Sequence, residues 1–384
     1  MKAICKSLCV LTALVLLASC SKDAERNGVP VDGAKTNFEV SLPGALDTYA
    51  VEDPQAAGQI TPYYDNVIVY LMDAGGNAVG YAWTDEEIKA RTKRFEQVAQ
   101  PRRAFVYVNT GSVSMPIGET RQADFYAKSD ELTVADQNKP VKTLAAADGK
   151  GNAAGDYLSV QQVTLFGHTS VFSDVASDDG HTLKKANISL KSLTGRFEVG
   201  TVKAGTGLDA LNVEAVYINY FQYNCDGVYG NGQGFSSQRF GESTWPEPYT
   251  PAWATDVADA GVTSASGTKV YAYQVFESDL VPHIVYKVSG TVSAGYKLSD
   301  GTGDADNPTP FTGKYITVKG FKTVTPVDRV QPHRIYKMGL ENGGVEITPD
   351  KITDKPEKSK VDLLVAIKVG GQAVLGRQVS DATP

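Results

Sequence analysis

Apolar side chains recur at every second position in several stretches of this chain, and that period commits each stretch to an extended strand with one face on a core. Near the C-terminus Val361, Leu363, Val365, Ile367 and Val369 alternate without interruption; Gly370-Gly371 follows, and then a second, weaker strand over Gln372 to Val379. Near the other end Phe38, Val40 and Leu42 alternate with Asn37, Glu39 and Ser41. Between them the same signal marks Asn66 to Met72 and Phe105 to Val108, the latter closed by the turn residues Asn109-Thr110-Gly111. After the polar patch Ser173 to Lys185 it marks Ile188–Leu190, Arg196–Val199, Val213–Tyr220, Lys269–Phe276, Ile284–Val292, Tyr315–Phe321 and Arg334–Leu340.

Strands this closely spaced predict an all-β chain of two β-sandwich domains, residues 37–184 and 185–347, with the boundary near Lys184 and Lys185 and a linker and terminal strand over 348–384. The best helix candidate runs from Thr84 to Gln97: Thr84 is placed to cap it, and acidic Asp85, Glu86 and Glu87 precede basic Lys93 and Arg94, the order that suits the helix dipole.

The first residues set the compartment. Lys2 and Lys6 precede the apolar run Leu8 to Ala18, which has the length of a secretory signal and is too short for a permanent membrane span. The run closes on Leu17-Ala18-Ser19-Cys20, the lipobox pattern, so residues 1–19 are expected to be removed and Cys20 to carry lipid that holds the chain on an outer membrane at the cell surface. Residues 20–36, with Gly28, Pro30 and Gly33, then form a flexible leash. Cys5 and Cys9 leave with the signal, and Cys225 is the one thiol left. The exported fold must therefore be held by its core and not by disulfides.

Little in the sequence points to chemistry. A formal net charge of -7 without a dense Lys/Arg block argues against a nucleic-acid partner. His168, His181, His283 and His333 stand far apart, with no metal-ligand spacing to one another or to a cysteine, and the G-x-S-x-G elbow is absent. No catalytic residue, metal or cofactor is expected. Gly230 to Gly234 reads as a surface loop, since no helical pattern follows it as a phosphate loop requires. Asp300 to Asn307 carries oxygens that suit calcium, but Asp, Gly and Asn between two strands are also the ordinary residues of turns. Tyr63, Tyr64, Tyr220, Tyr223, Trp245 and Trp253 could stack on sugar or fill a core, which keeps open a second reading: a surface lipoprotein that binds host glycan or protein.

The Lys-, Asp- and Pro-rich stretch Thr348 to Lys360 gives the terminal strand reach. An extended apolar strand at a chain end can complete a neighbour's sheet, and such a contact repeated head to tail builds a filament. It can equally pair within its own domain, and the alternation by itself leaves both open.

Taken in order, the lipobox, the strands at Thr36 to Leu42 and Val67 to Met72, Val106-Tyr107-Val108-Asn109-Thr110-Gly111, Leu165-Phe166-Gly167-His168, Leu190 to Val199, His333 to Met338 and the terminal strand pair resemble the fimbrillin family of Bacteroidetes, the type V pilins. The resemblance implies transthyretin-like, Greek-key sandwiches and a role as a structural subunit of a surface fimbria, partnered by other fimbrial subunits. It further implies that an Arg- or Lys-directed protease removes the first strand, here Phe38, Val40 and Leu42, and that a neighbour's terminal strand, here Val361 to Val369, fills the groove. This chain departs from that pattern in having no Lys or Arg between Lys35 and Lys89, and it lacks the family's aromatic C-terminal end, closing on Asp381-Ala382-Thr383-Pro384. The first departure favours an anchor or accessory subunit over a stalk subunit.

Overall fold

The computed structural model describes residues 35–42, 64–138, 150, 163–176, 182–225, 237–246, 271–322, 326–332, 334–339, 344–358, 363–366 and 368–371. The signal, Cys20, the leash up to residue 34, His181, His333, Gly230 to Gly234 and Gln372 to Val379 lie outside them, while Lys35 and Thr36, expected as the end of the leash, open the first strand.

In chain order the first half holds β1 (Lys35–Ser41), β2 (Val67–Met72), β3 (Asn77–Ala82), α1 (Asp85–Ala90), β4 (Thr92–Ala99), β5 (Arg103–Val108), β6 (Gly118–Arg121), α2 (Gln122–Ser129), α3 (Val134–Gln137), β7 (Leu165–Thr169), β8 (Ser173–Ala176), β9 (Thr182–Asn187) and β10 (Lys191–Ser192). One sheet has the order β4, β1, β9, β8; the other has β10, β7, β5, β2, β3, β6. Between them Phe38 and Val40 from β1 meet Val67, Val69 and Leu71 from β2 and Val106 and Val108 from β5. The alternate residues of the second sheet, Ile68, Tyr70, Phe105 and Tyr107, belong to another core with Phe125 of α2. The one buried face expected of Asn66 to Met72 becomes two: β2 is buried on both, which is why its sequence VIVYLM is apolar throughout.

The second half holds β11 (Thr194–Val199), β12 (Val202–Ala204), β13 (Leu208–Asn219), β14 (Phe221–Gln222), β15 (Ser237–Gln238), β16 (Tyr271–Phe276), β17 (His283–Val292), β18 (Thr309–Lys322), β19 (Arg334–Met338), β20 (Val345–Ile347), β21 (Leu363–Ala366) and β22 (Lys368–Gly371). Its main sheets have the orders β16, β11, β19, β22 and β13, β17, β18, β21, with β12–β20 and β14–β15 as short pairs. The chain is all-β, as expected.

The two halves repeat one plan. Phe38-Glu39-Val40 on β1 and Phe197-Glu198-Val199 on β11 occupy the same place: each strand lies between an antiparallel neighbour (β4 or β16) and a parallel one (β9 or β19). In the facing sheets, β2, β5, β7 and β13, β17, β18 follow one another antiparallel. The repeat is one of topology with three shared residues, too little sequence to register as a period.

A polar chain of contacts ties the halves together. Asn109 and Gly111, both left-handed (φ 57° and 63°), turn the chain at the end of β5, and the Asn109 side chain accepts from the Asp65 amide at 2.8 Å. Thr164 Oγ1 donates to the Asn109 carbonyl (2.7 Å), and Gln137 receives the Thr164 amide (2.7 Å) while its Nε2 donates to Thr164 Oγ1 (3.0 Å). Next to Gln137, Asn138 reaches Gln274 on β16. The Val134 amide donates to the Tyr223 carbonyl and the Cys225 amide to that of Leu132. Cys225 itself is buried and forms no disulfide.

Four local expectations change. The helix expected over Thr84 to Gln97 stops at Ala90: Thr84 caps it in a box with Glu87, but Arg91 turns left-handed (φ 57°), and Phe95 then enters the core on β4, facing Phe38. The polar patch Ser173 to Lys185 is not a loop between domains. It contains β8 and the start of β9, and β9 pairs with β1 through Lys184 and Lys185 themselves, so the first sandwich runs past the expected boundary to β10. The lysines misled because a strand with one wet face carries charge there. Ile188 and Leu190 are buried and Ser189 between them is exposed, but the three fall between β9 and β10. Finally, the stretch expected as a linker is docked through residue 358: Thr353 pairs with Tyr315, and the backbone turns over Pro349–Lys351.

Candidate strand-exchange site

β1 is the centre of its sheet, hydrogen-bonded on both sides. Phe38 lies opposite Phe95 on β4 and Lys184 on β9; Val40 lies opposite Lys93 and Ala186. The side chains of Phe38 and Val40 are fully buried and Leu42 nearly so. The Phe38 ring meets Phe172 edge-on at 5.1 Å and Phe95 at 6.4 Å. Past the last rung, the Leu42 amide donates to the Arg91 carbonyl (2.9 Å) and the Ile188 amide to that of Ser41 (3.0 Å). On the outer face Glu39 pairs with Lys185 at 2.8 Å. Burial of three such apolar side chains stabilises by roughly 1.5–3 kcal/mol each, before the two ladders of backbone bonds are counted. Taking β1 out would leave β4 and β9 as facing edges with a groove between them.

The basic residues around β1 are poorly placed for a cut that would release it. Lys35 is the exposed first residue of the strand, so a break there leaves the groove filled. Lys89 is exposed on α1, but a break there, or at Arg91, falls after β2 and β3, which belong to the opposing sheet. Arg91 is buried besides, its guanidinium 3.7 Å from the Tyr64 ring centroid. Lys93 is held by both carboxylate oxygens of Glu87 at 2.6 and 2.8 Å.

At the other end, β21 runs parallel to β18, with Leu363 opposite Val318 and Val365 opposite Phe321. β22 runs antiparallel to β19, with Val369 opposite Tyr336. The single unbroken strand expected over Val361 to Val369 is thus two short strands on different sheets, and Gly370-Gly371, expected to follow it, lies on β22; the arm joins both sheets of the second sandwich, at the edges that β10 and β8 take in the first. Of the five candidate donor residues, Leu363, Val365 and Val369 sit on these strands; Val361 and Ile367 lie outside the described residues.

The arm leaves from a cluster that has no signature in the sequence. Glu357 is left-handed (φ 59°) and nearly buried; its Oε2 accepts from His283 Nδ1 (2.8 Å) and its Oε1 from Asn219 Nδ2 (2.8 Å). Its amide donates to Thr317 Oγ1 (3.1 Å), and Lys319 Nζ donates to its carbonyl (3.3 Å). Tyr220, also left-handed (φ 55°), stacks on His283 at 4.1 Å. These residues are scattered over the chain, and only the fold gathers them.

Elsewhere the candidate residues separate. Among the described residues no three His, Cys, Asp or Glu could hold a metal ion. Asp300 is a turn residue: its carboxylate accepts from the Thr302 amide (2.9 Å) and Lys314 Nζ (2.5 Å), while Asp304 receives the amides of Asp306 and Asn307 (both 2.9 Å). Burial raises the Asp300 pKa, but the bonds from Lys314 and Thr302 outweigh it and hold the carboxyl down at about 2. The lysine ammonium thus occupies one side of the carboxylate where calcium would bind. Of the aromatic residues, Tyr64 is buried under Arg91, Tyr220 is stacked on His283, and Trp245 packs edge-on to Tyr217 and Phe240. Tyr63 and Trp253 lie outside the described residues. His168 rests against the rings of Phe105 and Phe166.

No protein-family profile matches the chain, and no curated protein does. Among solved structures it is similar to a fimbrilin from Porphyromonas gingivalis (TM-score 0.48, 10% identity, covering 90% of this chain and 99% of that one). It is also similar to a candidate cell adhesion protein from Bacteroides eggerthii (0.45, 14%, 90% and 98%) and to a tip fimbrial protein, Mfa3, from P. gingivalis (0.39, 10%, 83% and 97%). Likeness at this level assigns no function to the chain.

Proposed function

We propose that this protein is a structural subunit of a surface fimbria of the type V class, tethered to the outer membrane through lipid on Cys20, and that it serves as an anchor or accessory subunit. The observation that carries the reading is the lack of any Lys or Arg between Lys35 and Lys89 beside a first strand that is buried and paired on both edges. β1 is bound on both edges, its apolar face is buried, and no Lys or Arg lies between Lys35 and Lys89 for a basic-residue protease to free it. Such a subunit keeps its own groove filled and cannot accept a neighbour's strand there. It can still give one, since its terminal arm lies at the edges of two sheets, the position from which a strand can transfer to another copy's sheet without dismantling a core. Polymer growth would therefore run from this subunit in one direction only.

Mass spectrometry of the protein in surface fractions tests this. An acylated Cys20 at the N-terminus of the fibre-associated form is expected. An N-terminus beyond Leu42 would mean that β1 is removed after all and would make the protein a stalk subunit.

A further inference from the structure

We infer that Glu357, with His283 and Asn219, is the clasp that fixes the root of the C-terminal arm, so that the exchangeable segment begins after Lys358 and the clasp sets how readily the arm leaves its own domain. The inference deepens the strand-exchange reading above and rests on it.

Four hydrogen bonds from three strands converge on this one residue: Asn219 from the end of β13, His283 from the start of β17, and Thr317 and Lys319 from β18. Asn219 is itself fixed, because its Oδ1 accepts the Phe240 amide and its Nδ2 donates to the Phe240 carbonyl as well. The cluster also stores strain. A left-handed backbone at a residue other than glycine is costly and persists only where its surroundings over-determine it. Two such residues, Tyr220 and Glu357, meet here across the His283 ring.

Just N-terminal to the clasp the chain is docked as well: Thr353 exchanges backbone bonds with Tyr315, and its hydroxyl donates to the Lys355 carbonyl. Just beyond it, the arm is held by β21 at the edge of one sheet and β22 at the edge of the other. A chain with fixed contacts up to Glu357 and edge contacts after it has its parting point between the two. The clasp works as a stop: a strand that peels away cannot carry residues 349–358 with it, which keeps Ile352, one of them, buried in the core.

Hydrogen exchange by mass spectrometry on the detergent-solubilised full chain tests the clasp. In Glu357→Ala, amides of residues 363–371 should exchange at least about tenfold faster than in the wild type while β17 and β11 are unchanged; Glu357→Gln, which can still bridge Asn219 and His283, should stay within about threefold. Unchanged protection of 363–371 in Glu357→Ala overturns the inference, as does a loss of protection that spreads equally through β17 and β11. Should Glu357→Ala fail to fold, His283→Ala, which removes one bond of the four, replaces it under the same criteria.

A labelled peptide of residues 361–371 separates this result from the reading it rests on. Faster exchange of the arm with no peptide capture by Glu357→Ala leaves the clasp standing and removes strand exchange. Equal capture by the wild type and Glu357→Ala keeps exchange and removes the clasp.

Discussion

Asn138 pairs with Gln274 as one strand pairs with another: its Nδ2 donates to the Gln274 carbonyl at 2.9 Å and its Oδ1 accepts the Gln274 amide at 2.8 Å. β16 is the edge of its sheet, and at this rung a side-chain amide from the end of α3 takes the place of a missing neighbour. The contact closes an edge that would otherwise invite pairing with another chain, and it joins the two sandwiches.

Replacing Asn138 by Ala should cost about 2–4 kcal/mol, because it leaves a buried carbonyl and amide of Gln274 without this partner. Asn138→Asp should be no better, since a carboxylate would face the Gln274 carbonyl with no proton to donate. Urea denaturation checks the size of the loss and whether the two sandwiches, which unfold together in the wild type on this view, separate into two transitions.

Phe38→Ala should cost about 3–5 kcal/mol, the usual range for a large aromatic side chain removed from a core. Phe38 touches both Phe95 and Phe172, so the cavity would open between β4 and the segment before β8. Glu39→Ala on the same strand removes a partly exposed pair with Lys185 and should cost less than about 1 kcal/mol. Thermal unfolding of the two variants measures the contrast.

Brief trypsin treatment of the folded protein should cut at Arg26 or Lys35 and leave a fragment that keeps β1 and an unchanged melting temperature. A cut that removed β1 alone has no basic residue to use. A stable product starting beyond Leu42 would show that β1 is dispensable.

Acid should weaken the turn at Asp300. Its carboxyl is held at about 2 in the fold against an ordinary value of 3.8, so the unfolded chain takes up the proton first. The resulting stabilisation is present above the ordinary value and is lost as pH falls through about 2; solvent screening at this exposed residue keeps it small. Asp300→Asn should lower stability at pH 7 and flatten its decline between about pH 4 and 2, as followed by urea midpoints across that range.

Much of the fold was legible because β structure writes itself in alternation. Phe38, Val40 and Leu42, the run at β2 and the residues of β17 each declare a strand locally. The errors fell where local and tertiary signals diverge. Thr92 to Gln97 follows a well-capped helix and has helix-friendly charges, yet Phe95 is needed opposite Phe38. Lys184 and Lys185 look like a boundary, yet Leu183 and Ala186 beside them are buried on β9. For the candidate site the division is sharper: the alternating residues of β1 could be named in advance, but the alternation over Val361 to Val369 did not show that the segment divides between two sheets, and Glu357, His283 and Asn219 carry no pattern that links them.

The sequence by itself determined where many of the strands lie and that no basic residue follows β1 before Lys89. Those are properties of neighbouring residues and of composition, and they need no third dimension. Tertiary structure decided which strands are neighbours: that β1 lies between β4 and β9, that the arm reaches both sheets of the second sandwich, and that Glu357 closes on His283. A strand's alternation fixes which of its faces is buried, but its backbone edges are alike along the whole chain. The partner at each edge is therefore chosen by the packing of the whole core and cannot be read from either strand alone.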